Sequence, residues 1–107
     1  MNSTIENIIN KINQNENLTN EQKTELVSLI DSLKKELSNI SEPQQAQEIA
    51  NVTKTTVAEA IRHQKDIDLF DNSIHSLTSS AKTFETSHPD LLKTIETITL
   101  YLSDLGI

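Results

Sequence analysis

Three stretches of the chain place an apolar residue at alternating intervals of four and three. They are Leu26, Ile30, Leu33, Leu37 and Ile40; Phe70, Ile74, Leu77, Ala81 and Phe84; and Leu91, Ile95, Ile98, Leu102 and Leu105. An α-helix turns about 100° per residue, so this spacing keeps every member on one side of a helix. A β-strand alternates its faces with a period of two and would scatter the same residues over both. The chain is thereby committed to amphipathic helices.

Two further segments carry the same signal less strongly. Ile5, Ile8, Ile9 and Ile12 follow the i, i+3, i+4, i+7 pattern of a short buried face. Alone, a helix of that length is marginal in water, so it must dock to persist. Between residues 43 and 61, Ala46, Ile49, Ala50, Thr53, Val57, Ala60 and Ile61 share one face. Most of these side chains are small, which lets a neighbouring helix come close. The β-branched run Thr53, Thr55, Thr56 and Val57 lowers helix propensity there.

Punctuation agrees with five helices. The polar run Asn13–Asn17 ends the first, because its side chains compete for backbone hydrogen bonds. Thr19 with Gln22 three residues later reads as a capping box opening the second, whose stripe Val27 and Leu29 widen. Lys34 and Lys35 sit near its C-terminal end, where the helix dipole favours cations. Pro43 suits the first turn of the third helix, where its missing N–H would be unpaired anyway. A polar junction near Gln64 to Asp68 precedes the fourth. Ser87 is the expected N-cap of the fifth, followed by Pro89 and Asp90 in its first turn, and Gly106 is the expected C-terminal cap.

Composition supports this reading. The chain holds 13 Ile and 12 Leu, against two Phe, one Tyr and no Trp, an aliphatic supply suited to interdigitating helices. One Gly and two Pro are too few for the many tight turns of an all-β chain. The expectation is an all-α fold: one domain over residues 1–107, a small bundle of about five helices, mostly antiparallel neighbours joined by short loops.

Net charge is −7, from 9 basic and 16 acidic residues. Phosphate backbones and anionic lipid surfaces would be repelled, so neither nucleic acid nor membrane is an expected partner. With no Cys there are no disulfides, thiolate metal sites or Cys nucleophiles. Residues 1–10 lack the basic and continuous apolar regions of a signal peptide, and no apolar run approaches membrane-spanning length. A cytoplasmic location is expected.

Candidate chemistry is thin. Glu59 with His63 and Asp71 with His75 are each four apart on a helix, so two such pairs could form a bundle-type N/O metal site. The spacing is not the Glu-x-x-His of di-iron carboxylate bundles, and solvent-exposed pairing is the simpler reading. His88 neighbours Ser87, yet no oxyanion element or Gly-rich loop accompanies them, so no catalytic site is assigned. No phosphate loop, dinucleotide fingerprint or zinc-protease motif is present. Neither a cofactor nor a metal is expected.

The segment Phe84-Glu85-Thr86-Ser87-His88-Pro89-Asp90-Leu91, with the ending Leu102-Ser103-Asp104-Leu105-Gly106-Ile107, resembles a family of small bacterial proteins. That family is classed as domain of unknown function four-four-zero-four, and it shares an F-E-x-S-H-P-x-L motif and a terminal L-G-I. The likeness is weaker over Leu18 to Ile40, and from Ala46 to Gln64 it extends only to the longer members, which carry the Glu59-Ala60 pair. It implies an all-helical bacterial protein and supplies no activity, ligand or catalytic residue. Physically, the motif reads as a corner between helices. Phe84 closes one stripe, Ser87 caps, His88 precedes the fixed turn at Pro89, and Leu91 opens the next stripe.

One feature is left over. Leu100 projects opposite the Leu91–Leu105 stripe, with Leu92 and Tyr101 on the flanks of the fifth helix. A helix apolar on more than one side is either central in its bundle or in contact with a second molecule. The expected function is therefore a non-enzymatic helical interaction module that self-associates or binds another protein through Leu92, Leu100 and Tyr101. The alternative is a bundle binding a metal or small ligand through the His and carboxylate pairs, with a small hydrolase a distant third.

Overall fold

The computed structural model of the chain describes residues 2–62 and 66–105. It contains five α-helices: α1 (Asn2–Gln14), α2 (Asn20–Leu37), α3 (Pro43–Ala60), α4 (Ile67–Lys82) and α5 (Pro89–Leu105). No strand occurs among the described residues. Gly106, the expected C-terminal cap of α5, lies outside them.

Each start has a local cause. At α2 the capping box is complete: the Thr19 hydroxyl accepts from the Gln22 backbone N–H at 3.1 Å, and the Gln22 side chain accepts from the Thr19 N–H at 2.9 Å. Pro43 occupies the first turn of α3, and Glu42 before it makes no side-chain cap. Asp66 caps α4, its carboxylate accepting from the Leu69 N–H at 3.1 Å. Before α2, Asn15 Oδ1 accepts from the backbone N–H groups of Asn17 and Leu18, closing an Asx turn. The same side chain donates through Nδ2 to the Ile61 carbonyl at 2.9 Å, tying the α1–α2 turn to the end of α3.

The helix ends close without glycine. The residues after α2 and α4, Ser38 and Thr83, keep right-handed backbone angles, and no described residue has positive φ. Each end tightens instead: the Ile40 N–H donates to the Leu37 carbonyl, and the Phe84 N–H to that of Ala81. These bonds carry Ile40 and Phe84, both beyond their helices, back onto the apolar stripes they complete.

The helices enclose one core. α1 packs between α2 and α3, α2 packs on α5, and α5 reaches α3 across the middle. α4 completes the enclosure, packing against α3 and α5 and giving Phe70, Leu77 and Ala81 to the same core. Consecutive helices pack together in three of the four cases. α2 and α3 are the exception, because α1 inserts its Ile5, Ile8 and Ile12 face between them. All buried apolar side chains form one cluster, and the radius of gyration is 12.9 Å, close to the ~13 Å of a compact domain this size.

Burial follows the stripes closely. The five-residue stripe of α2 is buried throughout, as is that of α5 up to Leu102, with Leu105 packed against its edge. The threonines of α3 fit because their hydroxyls are satisfied locally. Thr53 and Thr56, both fully buried, donate to the carbonyls of Ile49 (2.8 Å) and Val52 (2.9 Å) one turn back. Their methyl groups are thereby free to pack as Val would.

Candidate interaction surface

The corner between α4 and α5 takes its shape from Phe84. Its ring is buried, and its carbonyl accepts from the His88 N–H at 2.7 Å. The His88 imidazole rests on that ring, with centroids 5.8 Å apart and planes tilted by 57°. Helix α5 then begins at Pro89, and Leu91 is fully buried. The capping position accordingly falls on His88. Ser87 lies one residue further out, exposed, with no side-chain hydrogen bond to the start of α5. The Pro at the first helical position fixes the start, so the expected Ser87 cap is displaced outward.

Of the two proposed metal pairs, Asp71 with His75 falls wholly within the described residues. Glu59 pairs with Arg62 at 2.7 Å, an i, i+3 contact that raises the guanidinium pKa through the hydrogen bond and the carboxylate charge. His63 lies outside the described residues. Asp71 and His75 are both exposed and form no ion pair with each other. Among the described residues no three His, Cys, Asp or Glu side chains are placed to hold a metal ion.

On α5 the three candidate interface residues separate. Leu92 and Tyr101 pack against the core, and the Tyr101 hydroxyl reaches toward the Gln22 carbonyl at 3.5 Å. Burial pushes the Tyr101 phenol pKa up, with the charge of Glu25 adding to the shift. Leu100 alone stays in solvent, 68% exposed. Two residues that the periodicity passed over join it: Ile67 and Leu69, 65% and 47% exposed in the first turn of α4. The Asp66 cap was the available signal, since it fixes where α4 begins and hence which residues fall in its first turn.

Two open depressions lie along the outer seam between α3 and α4. One, of about 500 Å³, is lined by Gln45, Glu48, Ile49, Ser79, Ser80, Thr83 and Phe84. The other, of about 250 Å³, is lined by Val52, Thr55, Leu69, Asn72, Ser73 and Ser76. A third, at the opposite edge of α3, joins Lys11 and Asn15 to Ala58 and Arg62. No helix among the described residues is long and apolar enough to cross a membrane. Comparison of the chain with protein-family models, curated proteins and solved structures finds no match.

Proposed function

We propose that this chain is a non-enzymatic helical interaction module that associates with a second copy of itself through the outer face of α5. The observation that carries the reading is Leu100: a large apolar side chain, 68% exposed, on a helix whose core-facing stripe is already filled. The other large apolar side chains of α5 are buried or packed partly against the core, which leaves Leu100 as the one in open solvent. Net charge of −7 and the absence of Cys support a cytoplasmic protein that does not bind nucleic acid. The likeness of residues 84–91 and 102–107 to the bacterial family named above belongs to the same proposal and adds no activity to it.

Magnitude limits what Leu100 can do alone. Burying two leucine side chains supplies roughly 3–6 kcal/mol, whereas a micromolar dimer needs about 8 kcal/mol. The contact must therefore extend beyond a single leucine pair. Sedimentation velocity of the wild-type chain and of Leu100→Glu tests the reading: the wild type should associate at micromolar concentration and the variant should remain a helical monomer.

A further inference from the structure

We draw no further inference here: the strongest candidate, the depression between α3 and α4 that Val52 and the exposed Leu69 border, carries none because nothing in the structure shows what covers it.

Discussion

The Thr56 hydroxyl, buried in α3, lies 3.2 Å from the Ser73 carbonyl oxygen in α4, and it also donates to the Val52 carbonyl in its own helix. It is a polar link between α3 and α4. Thr53, equally buried, donates only within α3. Thr56→Val should therefore cost about 1 kcal/mol, the ordinary net value of a hydrogen bond. Thr53→Val should cost less, because no second helix loses a partner. Urea unfolding of the two variants measures the difference, and equal losses would deny the cross-helix bond a role.

The α4–α5 corner separates a packing residue from a bystander. Phe84→Ala removes a buried ring and should destabilise the protein by about 3–5 kcal/mol. Ser87→Ala, one position outside the helix start, should change stability by less than about 0.5 kcal/mol. A loss near 1 kcal/mol from Ser87→Ala would restore that hydroxyl as the cap.

Tyr101 is the only tyrosine, so tyrosinate absorbance titrates one known group. Its pKa is raised by burial and by Glu25, which means that the folded state holds the phenolic proton more tightly than the unfolded chain does. The associated stability is fully present below the unfolded value near 10 and is lost as pH rises through the folded value. The titration midpoint should lie above 10, and melting temperature should fall more steeply above about pH 10 than in Tyr101→Phe. A midpoint at or below 10 would contradict the burial of the phenol.

Chelation tests the His and carboxylate pairs. Asp71 and His75 are exposed and unpaired with each other, and Glu59 is engaged by Arg62. EDTA should leave the melting temperature unchanged. A drop reversed by one divalent ion would restore a metal site near α3 and α4.

The helices and their buried faces were legible in the sequence because periodicity reports directly which side of a helix avoids water. Ile5, Ile8 and Ile12, the α2 stripe and the run from Leu91 to Leu102 all follow from spacing alone. What periodicity leaves open is which flank of a stripe meets a neighbour. Tyr101 and Leu92 occupy flanks of α5 and turn out to be covered, whereas Leu69 on a flank of α4 is not. The difference follows from the neighbours: α5 is bordered by α2, α3 and α4, while α4 packs mainly on α3 and α5. The placement of α1 between α2 and α3 is likewise a tertiary choice that no local signal encodes. The Ser87 cap was misplaced by one residue because Ser87 and His88 both precede Pro89 closely enough to cap, and residue preference favoured serine.

Sedimentation equilibrium of the wild-type chain beside Leu100→Glu, from micromolar to hundreds of micromolar, tests the central claim most directly. The outer face of α5, with one exposed leucine over a filled stripe, predicts that the wild type moves from monomer toward dimer across that range. Leu100→Glu should stay monomeric with an unchanged helical spectrum. A wild-type chain that sediments as a monomer throughout would contradict the assignment of α5 as an interface.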